Sequence, residues 1–162
     1  MTISEGDTIP SATFLRMGAE GPEEIALDTL AKGRRVVIFG LPGAYTGTCT
    51  TAHVPSFVRT MDGFAEKGVD DIICVAVNDP FVLQAWAAET GAAEAGIVTL
   101  ADPEATFTKA VGMEFTAPPV GLIGRSKRYA MLVEDGRVVT LMEEEGPGVC
   151  DMTGGEALLA TL

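Results

Sequence analysis

The sequence predicts an α/β fold with a mixed central β-sheet flanked by helices. Two short apolar runs, Val36-Val37-Ile38-Phe39 and Ile72-Ile73-Cys74-Val75-Ala76-Val77, read as strands buried on both faces. Each is followed by a stretch with helical spacing. Farther along, residues 129–133 and 138–142 flank Glu134-Asp135-Gly136, a hairpin signal that demands an antiparallel pair. Parallel strands joined through helices, plus one hairpin, make the sheet mixed.

In chain order, Gly6-Asp7-Thr8-Ile9-Pro10 is an extended lead-in, followed by short strands near residues 12–17 and 24–27. Residues 34–39 form the first buried strand, bounded by Gly33 and Gly40. Gly40-Leu41-Pro42-Gly43-Ala44 is a loop. From about Thr46 to Glu66, the positions Ala52, Phe57, Val58, Met61, Phe64 and Ala65 fit a helix, with a kink expected at Pro55. Residues 72–77 form the second buried strand. Asn78-Asp79-Pro80 starts a helix, with Asp79 as cap, that Gly91 ends after Thr90. Residues 97–100 are a third strand, Asp102-Pro103 opens a short helix to Val111, and residues 156–162 close the chain as a helix.

A length of 162 residues fits one domain, spanning 1–162, at about 150 residues per domain. A chain of this size buries a core without disulfides or metal. Hydrophobic residues at 47% and charged ones at 21% describe a globular protein. Eleven Lys and Arg against 23 Asp and Glu give a net charge of −12, a field that repels phosphate backbones and anionic membranes. Neither nucleic acid nor a membrane is expected as a partner. The N-terminus lacks a basic segment followed by an apolar one, and no apolar run reaches about 18 residues. A cytoplasmic location is the expectation. The three cysteines, Cys49, Cys74 and Cys150, are an odd number, which favours thiol chemistry over a disulfide framework.

Ligands of open α/β sheets sit outside the carboxyl ends of the strands, which is where the loop carrying Cys49 falls. With a helix starting near Thr46 or Gly47, this thiol lies in the first helical turn. Free amides and the positive helix end there favour the thiolate. No Lys completes a phosphate-binding G-x-x-x-x-G-K-[ST] loop, and no second Cys completes a Cys-x-x-Cys dithiol. His53, at i+4 from Cys49, shares its helical face. It can be read as half of a Cys–His hydrolase pair, as one of two ligands in a weak metal site, or as a structural support near the thiol. The third reading is preferred, because no orienting group or oxyanion hole is evident. Cys74 lies in an apolar strand as a small hydrophobe.

Pro42-x-x-x-Thr46-x-x-Cys49 at a strand-to-helix turn resembles the active-site signature of the peroxiredoxins. The wider string from Phe39 to Thr46, with Thr51-Ala52-His53-Val54-Pro55-Ser56-Phe57 after it, is similar to the type-five subfamily. The similarity continues through Gly6-Asp7-x-Ile9-Pro10, Val75-Ala76-Val77-Asn78-Asp79, Leu100-Ala101-Asp102-Pro103 and Lys127-Arg128-Tyr129-Ala130-Met131. One departure is Gly47, where the family usually has proline. The resemblance implies a thioredoxin-like fold, a homodimer, no cofactor or metal ion, and reduction of hydroperoxides with thioredoxin, glutaredoxin or glutathione as reductant.

It also implies roles. Cys49 attacks the peroxide and becomes a sulfenic acid. At a free pKa of about 8.5, only a few per cent of a thiol is ionised at pH 7; a shift to about 6 gains roughly 30-fold. Because this falls far short of enzymatic rates, other groups must stabilise the transition state. Thr46 Oγ1 and the backbone N–H of Cys49 can contact the sulfur and the peroxide, Arg128 supplies the guanidinium, and Pro42 shields the thiolate. Arg125 and Lys127 are the other cations nearby. Cys150, in a loop with Gly146 and Gly148, is the candidate resolving cysteine, with an external thiol as the alternative. The competing functional class is a non-catalytic redox sensor that signals through oxidised Cys49.

Overall fold

The computed structural model describes residues 2–146 and 150–162, with Cys49 and Thr51 described as backbone only. Nine strands are found among the described residues: β1 (Thr13–Gly18), β2 (Gly21–Ala26), β3 (Arg35–Leu41), β4 (Asp71–Ala76), β5 (Val98–Ala101), β6 (Glu114–Ala117), β7 (Leu122–Ser126), β8 (Tyr129–Glu134) and β9 (Arg137–Glu143). The helices are α1 (Leu27–Ala31), α2 (Val54–Glu66), α3 (Pro80–Thr90), α4 (Ala92–Ala95), α5 (Thr106–Ala110) and α6 (Gly155–Leu159).

Seven strands form one sheet in the order β2-β1-β5-β4-β3-β8-β9, and β6 pairs with β7 in a separate ribbon. The expected mixture is present: β3 runs parallel to β4 and antiparallel to β8. The alternation of side chains explains why β3 has no polar interior position. Val37, Phe39 and Leu41 pack with Phe57, Phe64, Trp86 and Leu158 of the helices on one face. Val36 and Ile38 join Leu27, Leu30, Phe107 and Met131 on the other. Gly40 lies opposite Tyr129 of β8, and a Cβ there would overlap the Tyr129 ring. The fully buried phenol of Tyr129 thus fills the space that the glycine leaves.

The Asp79 cap and the Asp135-Gly136 hairpin act as read, whereas the helix expected to open at Asp102-Pro103 begins only at Thr106, after a turn. Asp79 Oδ1 accepts from Val82 N at 2.8 Å, capping α3. Asp102 accepts from the amides of Phe107 and Thr108 and from the Thr108 hydroxyl. Asp135 and Gly136 both have positive φ (47° and 77°), as a two-residue hairpin turn requires.

The expected kink at Pro55 is displaced. The helical run begins at Gly47, but Cys49–His53 forms a π-helical turn, and α2 starts after it. Pro55 therefore falls in the first turn of α2, where a missing N–H leaves little unsatisfied. The irregularity sits on the candidate thiol's own turn, a frequent position for π-bulges at functional sites.

Candidate active site

Three elements meet at the carboxyl end of β3. The register Gly40↔Tyr129 puts Arg128 next to the end of β3, and Leu41↔Ala76 brings Asn78 to the same rim. The loop leaving β3 is fastened from both sides. Arg125 Nη1 donates to the carbonyl of Pro42 at 3.1 Å, and Ala44 N donates to Asn78 Oδ1 at 2.9 Å. Gly43, at φ 150°, fits between them: a Cβ there would overlap Arg125 Nη1 and lie 3.3 Å from Asn78 Oδ1. Pro42 is buried beneath this loop.

Thr46 Oγ1 donates to the carbonyl of Gly43 at 2.8 Å. With its proton committed there, the hydroxyl is left with its lone pairs and acts as an acceptor. Thr50, in the π-helical turn, accepts from the indole N–H of Trp86 at 3.0 Å. Cys49 begins that turn as expected, but its thiol is outside the described residues.

Arg128, only 1% exposed, donates from Nη1 to His53 Nδ1 at 2.9 Å. The His53 ring is fully buried, edge-on to Phe39 and tilted against Phe57. Its Nε2 lies 3.0 Å from the carbonyl of Thr153. Burial, then the neighbouring guanidinium, lowers its pKa from 6.5 to about 3, so the ring is neutral at physiological pH. Of the three readings of His53, the structural support is the one this geometry matches. Among the described residues, no group of three or more His, Cys, Asp or Glu side chains is placed to hold a metal ion.

Glu144 is a participant that the sequence did not mark. Its buried carboxylate accepts from Met152 N, Thr153 N and the Thr153 hydroxyl, each at 2.7 Å. Its own amide donates to the carbonyl of Arg128 at 3.0 Å. The segment bearing Cys150 is thereby fastened beside Arg128. Burial raises the Cys150 pKa, the Arg128 charge opposes that rise, and Glu144 and Asp151 add to it. Of the loop glycines invoked for Cys150, Gly148 lies outside the described residues. Arg125 is engaged with the Pro42 carbonyl, and Lys127 pairs with Glu143 at 3.4 Å; Arg128 is the cation that packs against the helix carrying residue 49. Cys74 is buried in β4, as read.

Residues 4–159 match the family model described as Redoxin. The chain is 39% identical over 161 residues to Peroxiredoxin-2C of Oryza sativa subsp. japonica, covering 99% of this chain and 98% of that protein. It superposes on reduced Prx3 in complex with H2O2 from Vibrio vulnificus with a TM-score of 0.90, 40% identity and 99% of both chains covered. Peroxiredoxin 5 from Alvinella pompejana gives a TM-score of 0.84 at 31% identity, over 98% of this chain and 97% of that one.

Proposed function

Given that this chain belongs to the Redoxin family, with the thioredoxin-like fold of the peroxiredoxins, and is a thiol-dependent peroxidase, we propose that Cys49 is its peroxidatic cysteine. One observation carries this assignment. Pro42 and Thr46, from the loop after β3, and Arg128, from the residue before β8, lie at the strand end from which the helical turn of residue 49 departs. The amides of that first turn and the guanidinium favour a thiolate.

In the reaction, the Cys49 sulfur attacks one peroxide oxygen, forming a sulfur–oxygen bond as the oxygen–oxygen bond breaks. The departing oxygen takes up a proton and leaves as water or alcohol, and Cys49 is left as a sulfenic acid. Thr46 Oγ1 accepts from the peroxide O–H, a role set by its bond to Gly43. Arg128 stabilises charge as it moves from sulfur to oxygen. Pro42 keeps water from the sulfur.

The substrates of this reading are hydrogen peroxide and small organic hydroperoxides, and the sulfenic acid is recycled by thioredoxin, glutaredoxin or glutathione. Cys150 is the proposed resolving thiol, supported by its position beside Arg128 and Glu144. Membership of the type-five subfamily is supported by the likeness to the Alvinella protein. A homodimer is supported by Tyr45, Phe81, Val120 and Ile123, large apolar side chains left exposed. The deciding experiment is steady-state peroxide consumption with each reductant in turn, for wild type and Cys49→Ser. Turnover in the wild type with less than about a tenth remaining in the variant is expected, because a serine hydroxyl is not ionised near pH 7. Undiminished turnover in the variant, or one oxidation without recycling in the wild type, would sink the assignment.

A further inference from the structure

The two ring nitrogens of His53 face groups of opposite kind. A guanidinium has only donors, so Nδ1 opposite Arg128 must be the acceptor. A carbonyl has only lone pairs, so Nε2 opposite Thr153 must carry the proton. Both contacts select the same neutral tautomer. An imidazolium would turn an N–H toward the guanidinium N–H and bring two cations to 2.9 Å. The ring is fully buried, edge-on to Phe39 and tilted against Phe57, which stack on each other.

Thr153 is itself immobilised, since Glu144 accepts from both its amide and its hydroxyl. Glu144 returns to the start of the chain of contacts by donating its amide to the Arg128 carbonyl. The loop closes through Arg128, His53, Thr153 and Glu144, and Cys150 lies three residues before Thr153. Among the described residues, the charged and titratable groups facing the ring and its partners are Arg128, Glu144, Asp151 and Cys150.

We propose that His53 is a positioning residue for the peroxidase reaction: its Nδ1 fixes the Arg128 guanidinium, and the C-terminal segment, through the Thr153 carbonyl, fixes the His53 tautomer. This rests on the reading of Arg128 as the cation that stabilises the reacting oxygens. It gives the segment carrying Cys150 a second task, since its docking keeps Arg128 in place.

The test combines spectroscopy with four variants. His53 is the only histidine, so protein labelled with 15N-histidine gives one pair of ring signals. The expected spectrum has unprotonated Nδ1 and protonated Nε2, unchanged between about pH 5 and 8. The opposite tautomer, or an imidazolium forming in that range, overturns the proposal. Sulfenic acid formation is then timed in His53→Leu, His53→Gln, His53→Asn and Arg128→Met. Asparagine can place an oxygen near the Nδ1 position, glutamine restores only the Nε2 side, and leucine restores neither. The expectation is that Leu and Gln slow the step about tenfold or more, whereas Asn stays within about threefold of wild type. A residue that merely filled space would favour leucine, so an Asn variant no faster than Leu overturns the proposal. If Arg128→Met is slow while His53→Leu reacts as fast as wild type, only the role of His53 fails. If Arg128→Met reacts as fast as wild type, the reading of Arg128 fails and takes the proposal with it. Should His53→Leu not fold, the tautomer spectrum of the wild type decides.

Discussion

Lowering the pH from 8 to 5 will destabilise this protein through His53. The folded ring has its pKa lowered to about 3 by burial and by Arg128, against 6.5 in the unfolded chain. Between those values the unfolded state holds a proton that the folded state refuses, so stability rises with pH and is lost as pH falls through this window. The slope approaches about 1.4 kcal/mol per pH unit, and integration from pH 8 to pH 5 gives about 2 kcal/mol. For a chain of this length that is a fall of about 4–8 °C in Tm. The assay is urea unfolding of the reduced protein at half-unit pH steps, with His53→Asn as the reference that cannot gain the proton. The difference in unfolding free energy between the two proteins should shift by about 2 kcal/mol across the range, the wild type losing more. A folded pKa near 5.5 would give only about 1 kcal/mol, and a constant difference would refute the buried neutral ring altogether.

Arg128→Met retains side-chain length but removes the charge and its donors, and should slow sulfenic acid formation about 100-fold, near 3 kcal/mol of transition-state stabilisation. A loss below about threefold in stopped-flow measurements would reassign that role to another cation. Gly40→Ala adds a methyl group where the Tyr129 ring lies, and should cost about 1–3 kcal/mol in urea unfolding. An unchanged midpoint would mean that the ring yields freely. One equivalent of peroxide should consume two thiols per chain and give a Cys49–Cys150 peptide within one subunit, seen by non-reducing mapping. A dimedone adduct on Cys49 with Cys150 still free would assign resolution to an external thiol.

The parts of the fold legible in the sequence are those dictated by nearby residues. The hairpin at Asp135-Gly136, the Asp79 cap and the buried runs in β3 and β4 depend on local backbone preference and on alternation. The ribbon of β6 and β7 escaped notice because Pro118 and Pro119 interrupt any strand pattern, and the pairing is short and shifted in register. The short α1 packs Leu27 and Leu30 through tertiary contacts and has no side-chain cap to announce it. At the candidate site, Pro42, Thr46, Cys49 and Arg128 could be singled out because they match a family pattern. The partnership of His53 with Arg128 joins positions 75 residues apart, and that of Glu144 with Thr153 depends on a loop folding back. No spacing rule encodes either contact. Pro55 shows how a correct residue can give a misplaced feature, because an extra residue in the preceding turn moved the break away from it.

The bond from Trp86 to Thr50 gives the protein an optical reporter of its own chemistry. Trp86 is the only tryptophan, fully buried, and its indole proton is held by the residue next to Cys49. Emission from a single indole depends on the polarity and hydrogen bonding around it. Any rearrangement of the π-helical turn that draws Thr50 away exchanges that bond for another or for water. Should the proposed oxidation of Cys49 shift that turn, the change would be read in the tryptophan emission of the unlabelled wild-type protein, and its steps timed there.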